Sequence, residues 1–508
     1  MHTPANIRGT ALRTMTAEQL VEQYYYMKQR ERREQLAKLT DDDLEVILDT
    51  AFQTHARDAT RILAEYGARG TEFAKKHKNE ILSLLKFHDV KVRGYAAQII
   101  GATIAAECTD ELIAAIENET VLYALPTLIL ALGNAKNAQA EKYLADYRIR
   151  SDIDKHVREE RLALKKARAN FVKKETPHVR ILPTDVIVVS TPNVNVTLEA
   201  FAQAGMKAQK FGSYVAVSGL ENFYDIYRVR AYVTAYIYLG SCAVSEVPAL
   251  LASREKAIIQ RTQVKGFRIE VENVPHKERV DIIHNCLEKI TMLENTAANY
   301  SIEILIDVHD GKAQLFLNPL VDPRFRYRVK AVPASIKPGV AACIMSFAGS
   351  YFTGDARVLD DFCGAGTLLF ERAFYPYYSL TGVDNKIDAI EAARENSRHA
   401  AVHPQFHVVD ALKFTGKRYN EVVANMPFGL RVGNHEVNER LYQRYFHILP
   451  DILTDHGIAV LYTHEKKLTE RLIDASGALE PLKRTTFDAG GLYPAVYIIR
   501  RKNRSTEK

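Results

Sequence analysis

The run "LDDFCGAGT" (359–367) constrains the fold of this 508-residue chain more than any other stretch. It closes a buried apolar strand, "ARVLDDFC", and opens a helix, "GTLLFERAFY", with two glycines at the junction. Strand and helix then keep alternating. "SLTGVD" is a strand and "KIDAIEAARENSRHA" a helix; "QFHVVDA" and "NEVVANMP" are the next strands. The helix "NERLYQRYFHILPDIL", the strand "GIAVLYTH" and a terminal strand in "GGLYPAVYIIRRK" complete the series. Short apolar runs alternating with helical periodicity predict a parallel, doubly wound, Rossmann-like sheet over 326–508.

In such a sheet ligands bind beyond the carboxyl ends of the strands, and the chemistry-bearing residues gather there. Gly364 and Gly366 let backbone approach a ligand with no Cβ in the way. Asp384 ends the second strand, 24 residues after Asp360, a spacing that suits a carboxylate accepting from ribose hydroxyls. Asp410 ends the third, placed to meet an adenine edge. A dinucleotide enzyme would carry a third glycine where Leu369 stands, and Thr367 follows the second. The helix N-terminus therefore need not hold a pyrophosphate. A cofactor with an adenosine end and no phosphate, S-adenosylmethionine (SAM), fits better.

The fourth strand ends in "VVANMPFGLRVG" (422–433). Alone, an N-x-P-F reads as a turn. After three cofactor-type strand ends it reads as a clamp for a flat ring bearing an amine. The lone pair of an exocyclic amine is delocalised into its ring. Acceptors on the two amine hydrogens favour a pyramidal nitrogen aimed at a sulfonium methyl. Asn425 and the carbonyl after it supply the acceptors, Phe428 a stacking face, and Pro427 stiffness. Positioning then carries most of the acceleration. A paired base cannot enter, so the target is single-stranded, looped or flipped. Arg431 suits a phosphate contact and a helix cap equally, while His435 and Glu436 read as surface-loop residues.

Upstream of 176 the chain reads as helix after helix. Shifting "VKVRGYAAQIIG" (90–101) by 32 lays it over "LYALPTLILALG" (122–133), bringing Gly101 onto Gly133. Paired helices at that period suggest an all-α solenoid over 1–176, resembling HEAT repeats. Residues 148–180 hold eleven Lys/Arg against five Asp/Glu, an excess equal to the net charge of +6 for the whole chain. That run is a solvated face or linker, or a phosphate contact beside a nucleic-acid enzyme. "KKETPHVRILPTD" marks a boundary. Residues 177–325 then mix strands and helices, with Asp310-Gly311 as a hairpin turn, and predict an α+β module of helices on antiparallel sheet. The five cysteines lie too far apart to suggest a disulfide framework or a zinc site, so no metal is expected. With no apolar span or signal peptide visible, the expectation is a cytoplasmic protein without a membrane partner.

"VLDDFCGAGTLLFERA" resembles the D-P-F-C-G-S-G-T motif of class I SAM-dependent RNA methyltransferases associated with THUMP domains, and "NMPFG" resembles their N-P-P-F/Y. "YRVKAVPASIKPGVAACIMSFAG" (327–349) is similar to the segment preceding that motif, and the element order of 177–325 to their ferredoxin-like/THUMP-like module. The resemblance implies SAM contacts at Asp360, Phe362, Gly364, Gly366, Asp384 and Asp410, and catalysis by Asn425, Pro427 and Phe428. Asp361 and Met426 stand where the family has proline; the expectation is that Asp360 and Asp361 divide between solvent and loop. Cys363 reads as a packing residue, since cytosine C5 chemistry needs a Pro-Cys in the fourth-strand loop. The implied activity is methylation of a guanine exocyclic amine in RNA, tRNA above all. Adenine, rRNA or DNA targets are the alternatives, as is a partner-binding scaffold using the helical N-terminal region.

Overall fold

The computed structural model describes residues 15–53, 55–296, 298–414, 416–428 and 435–502, without the side chains of 435–437. Contacts divide the chain into two units, one formed by the chain up to Thr176 with Ser241–Ala313, the other by Pro177–Gly240 with the chain from Gln314.

The first unit is mostly helical up to Ala169. Two of its helices begin at capping boxes: Thr16 and Thr40 cap them, with Gln19 and Asp43 reaching back to the cap N–H. Helices Val90–Thr103, Leu125–Gly133 and Asp154–Ala169 pack in succession. The two glycines that the 32-residue shift superposes do the same job. A Cβ on Gly101 would lie 2.9 Å from the Ala131 Cα, and one on Gly133 would lie 2.6 Å from the Ala167 Cα. Asn134 Nδ2 donates to the Gly101 carbonyl at 3.0 Å, and Asn170 Nδ2 to Asn134 Oδ1 at 3.0 Å. Gly133→Ala is therefore expected to destabilise this unit by about 1–3 kcal/mol, because only a helix backbone can give way. Gly94→Ala, with nothing within 4 Å, is the control. Equal melting temperatures for the two variants would refute the close-approach role.

The same unit contains strand Gly266–Glu272 between Ile302–His309 and Glu294–Asn295. These strands pair parallel, not antiparallel as the pattern suggested. The helix His276–Lys289 is the reason: a crossover returns the chain in the same direction. Asp310 and Gly311 have φ of 49° and 74°, the two left-handed residues that a type I′ turn needs.

In the second unit, strands Lys207–Phe211, Tyr214–Ser218, Ile187–Ser190 and Thr234–Ala243 pair antiparallel in that order. "NFYDIYRVR" forms a short 3-10 turn, Phe223–Arg228, rather than an α-helix. Its buried Phe223 and Ile226 are three apart, the spacing that a 3-10 turn eclipses. This part is bound to the chain after Gln314 by buried cations. Arg324 donates to the carbonyls of Arg230 and Val233 (both 3.1 Å), pairs with Asp322 at 2.7 Å and lies 3.5 Å above the Tyr232 ring. Arg230 pairs with Glu371 at 2.8 Å. Residues 177–325, read from sequence as one module, thus contribute 177–240 and 314–325 to this unit and 241–313 to the other.

The C-terminal sheet comprises β1 (Arg357–Asp360), β2 (Ser379–Asp384), β3 (Gln405–Val408), β4 (Tyr419–Asn425), β5 (Leu453–Thr463), β6 (Leu479–Thr486) and β7 (Ala495–Arg501). Their order is β3-β2-β1-β4-β5-β7-β6. β7 runs antiparallel to both neighbours; the other pairings are parallel. One buried cluster lines each face: Val358 and Val423 belong to one, Leu359, Val422 and Ala424 to the other. β6, which the pattern reading passed over, is a partly exposed edge strand containing Pro481, so no apolar run announces it. Among the described residues no helix is long and apolar enough to cross a membrane.

Candidate active site

The β1 end turns into the helix Thr367–Arg372 through two left-handed glycines, Gly364 at φ 51° and Gly366 at φ 82°. A Cβ at Gly366 would sit 2.7 Å from the Phe370 ring, so both conformation and space call for glycine. Asp384, at the end of β2, braces the turn. One of its oxygens accepts from the Gly364 N–H at 3.0 Å, the other from the Lys386 N–H at 2.9 Å. Asp410 lies two residues past β3, where it accepts from the Leu412 N–H at 3.0 Å. Glycine turn, Asp384 and Asp410 thus stand at the carboxyl ends of three adjacent strands.

Asp360 and Asp361 do not divide between solvent and loop. Each is only 1% exposed. The Phe362 N–H donates to Asp360 at 3.2 Å, and the Tyr445 hydroxyl donates to Asp361 Oδ2 at 2.8 Å. Burial drives Asp360 well above the usual carboxylate range, and the neighbouring Asp361 adds to it. Burial likewise raises Asp361 to about 7, against the pull of Tyr445. Both carboxyls are thus enclosed by protein instead of reaching water. Cys363 is buried too, and burial beside Asp360 pushes its thiol well up. A thiol held protonated is a packing group and not a nucleophile.

Asn425 ends β4, opposite Tyr462 of β5, with its side chain partly exposed. Met426 extends the ladder: its N–H donates to the Tyr462 carbonyl at 3.0 Å, a bond that proline cannot make. Its side chain is buried in the cluster holding Tyr442 and Tyr445. The Pro427 carbonyl is already used, accepting from Tyr442 (2.9 Å) and Asn438 (3.1 Å). The carbonyl that directly follows Asn425 in the chain is that of Met426. Phe428 packs against Tyr462 and His464, ring centroids 5.5 and 6.1 Å away. Gly429 and Arg431 lie outside the described residues, as do the side chains of His435 and Glu436.

Sequence reasoning missed Asn396. Fully buried on the helix Ile387–Ala400, it donates to the carbonyls of Lys330 (2.9 Å) and Ala365 (3.0 Å) and accepts from the Lys330 N–H (2.8 Å). It thereby staples the segment before β1 onto the glycine turn. A signal existed: an amide on a stripe otherwise made of Ala389, Ile390, Ala392 and Ala393.

Residues 325–493 match the family described as "UPF0020: RMKL-like, methyltransferase domain". The match covers the Rossmann-like part of the chain, about a third of its length. Over 146 residues the chain is 28% identical to the tRNA (guanine(10)-N2)-dimethyltransferase of Methanothermobacter thermautotrophicus, covering 28% of this chain and 42% of that protein. Over 216 residues it is 23% identical to the tRNA (guanine(6)-N2)-methyltransferase of Methanocaldococcus jannaschii, covering 34% and 56%. The chain spans about half the length of these curated relatives. The crystal structure of TrmN from Thermus thermophilus matches with a TM-score of 0.50 at 18% identity, over 62% of this chain and 99% of that one. That likeness is one of fold: a class I, Rossmann-like methyltransferase domain with a mixed sheet, here preceded by a helical region.

Proposed function

We propose that this protein is a SAM-dependent methyltransferase acting on the exocyclic amine of a guanine in tRNA. One observation carries the reading: glycine turn, Asp384, Asp410 and Asn425 sit at the carboxyl ends of four neighbouring strands, β3-β2-β1-β4. The left-handed turn leaves backbone open to a ligand, and the partly exposed Asp384 and Asp410 suit the ribose and adenine of SAM. When bound, SAM supplies a methyl group on a positively charged sulfur. Gly364 and Gly366 give it room, while Asp360 shapes the turn through Phe362. Asn425 Oδ1 and the Met426 carbonyl accept hydrogen bonds from the two amine hydrogens, Phe428 stacks on the base, and Pro427 holds the loop. No strong base is needed if the nitrogen is aimed correctly.

The helical region 1–176 is read as HEAT-like and 177–325 as a ferredoxin-like/THUMP-like module. The second is assigned to holding RNA, and the helical region to a protein partner. The choice of guanine and tRNA rests on the names of the relatives. The test is incubation of the whole protein with labelled SAM and separate tRNA, rRNA and DNA pools, then nucleoside mass spectrometry. N2-methylguanosine from tRNA is the expected product. Methyladenosine alone would overturn the base assignment, and no transfer to any pool would overturn the enzyme.

A further inference from the structure

The helix His435–Ile452 presents Asn438, Tyr442 and Tyr445 at i, i+4 and i+7, one face of an α-helix. That face touches both halves of the site. Tyr442 and Asn438 donate to the Pro427 carbonyl, and Tyr442 also shares a 2.7 Å hydrogen bond with Thr463. One turn on, fully buried Tyr445 donates to Asp361 and sets its ring 5.3 Å from Phe362, edge to face at 65°. Asp361 Oδ1 is buried with no hydrogen-bond partner, so Tyr445 is its clip to the helix. Met426 fills the space beside the same two tyrosines. The two positions at which this chain lacks a proline therefore meet on one helical face.

We propose that Tyr445, Asp361 and Tyr442 are positioning residues that couple the glycine turn to the Asn425–Phe428 clamp through this helix, replacing the stiffness of the missing prolines with buried hydrogen bonds. The inference rests on the methyltransferase reading, which names what the two loops hold. The coupling is sensitive to protonation, since a charged carboxylate accepts a stronger bond from a phenol than a neutral one. Asp361 is raised to about 7 by burial. The ionisable groups facing it are Asp360 at the end of β1, Cys363 in the turn and Tyr445 on the helix, with Asp384 of β2 acting on Asp360.

Hydrogen exchange on the whole protein tests the coupling without any substrate. Tyr445→Phe is expected to speed exchange at the Met426 and Phe428 amides, which Tyr445 does not hold, as well as in 361–366. Faster exchange confined to 361–366 would overturn the coupling. Kinetics give a second readout. Tyr442→Phe is expected to lower the methyl-transfer rate about tenfold, with SAM affinity within about twofold. In the wild type the rate should rise with an inflection near pH 7; Asp361→Asn should be flat there, and His464→Gln, beside Phe428, should keep the limb. A limb that persists in Asp361→Asn or vanishes in His464→Gln would remove Asp361 from the mechanism. A wild type that transfers no methyl group defeats the functional reading alone, because the exchange result still decides the coupling.

Discussion

Asn425→Ala is expected to lower methyl transfer by about 10²–10³-fold, the loss seen when one positioned polar group is taken from a reacting centre. SAM affinity should stay within about twofold, because the cofactor contacts proposed above belong to β1, β2 and β3. The backbone gives no reason for wider damage. Position 425 lies in register with Tyr462, and the next N–H is fixed to the Tyr462 carbonyl, so truncation leaves the strand in place. Asn425→Asp should fall between wild type and alanine, since an oxygen acceptor remains. Single-turnover transfer and calorimetric titration of SAM separate the two effects. Equal losses in transfer and SAM affinity would move Asn425 into the cofactor site and end the clamp reading.

The parts of this site that were legible in the sequence are those fixed by local chemistry. Gly364 and Gly366 are needed for φ of 51° and 82°, and a left-handed turn between strand and helix can be read from letters alone. Asp384 and Asn425 were legible because strand ends in a parallel sheet recur at regular intervals. What stayed hidden depends on distant partners. The Asp360–Asp361 pair read as divided between solvent and loop, whereas both are buried and Tyr445, 84 residues away, donates to Asp361. Met426 looked like a defect, yet its N–H completes a ladder bond that only the partner strand reveals. The parallel pairing of Gly266–Glu272 was misread for a similar reason: alternation reports faces, while direction is set by the connecting helix. The glycine repeat at 101 and 133 was visible as a pattern, and its cause, an alanine backbone 2.6–2.9 Å from a Cβ, was not.

Glu421→Gln is expected to cost about 3–5 kcal/mol of stability, the usual loss when one partner of a buried ion pair is removed. Arg372 is fully buried, and Glu421 is 1% exposed. They meet in a two-pronged bond of 2.6 and 3.0 Å. The remaining guanidinium hydrogens reach the carbonyls of Tyr375 (3.0 Å) and Pro376 (3.1 Å), and the cation lies 4.2 Å from the Phe352 ring. Glutamine keeps the shape and an acceptor for the Thr353 N–H, so the measured loss is that of the charge left on Arg372. For a unit of this size the melting temperature should fall by roughly 2–4 °C per kcal/mol. Glu421 and Asn425 share β4 but lie about 13 Å apart along it, four residues of strand. The two substitutions should therefore separate. Glu421→Gln lowers the melting temperature and leaves the transfer rate unchanged below it; Asn425→Ala lowers transfer by about 10²–10³-fold and leaves the melting temperature unchanged. A transfer defect in Glu421→Gln well below its melting point would mean that strand position, and not the amide at its end, sets the rate.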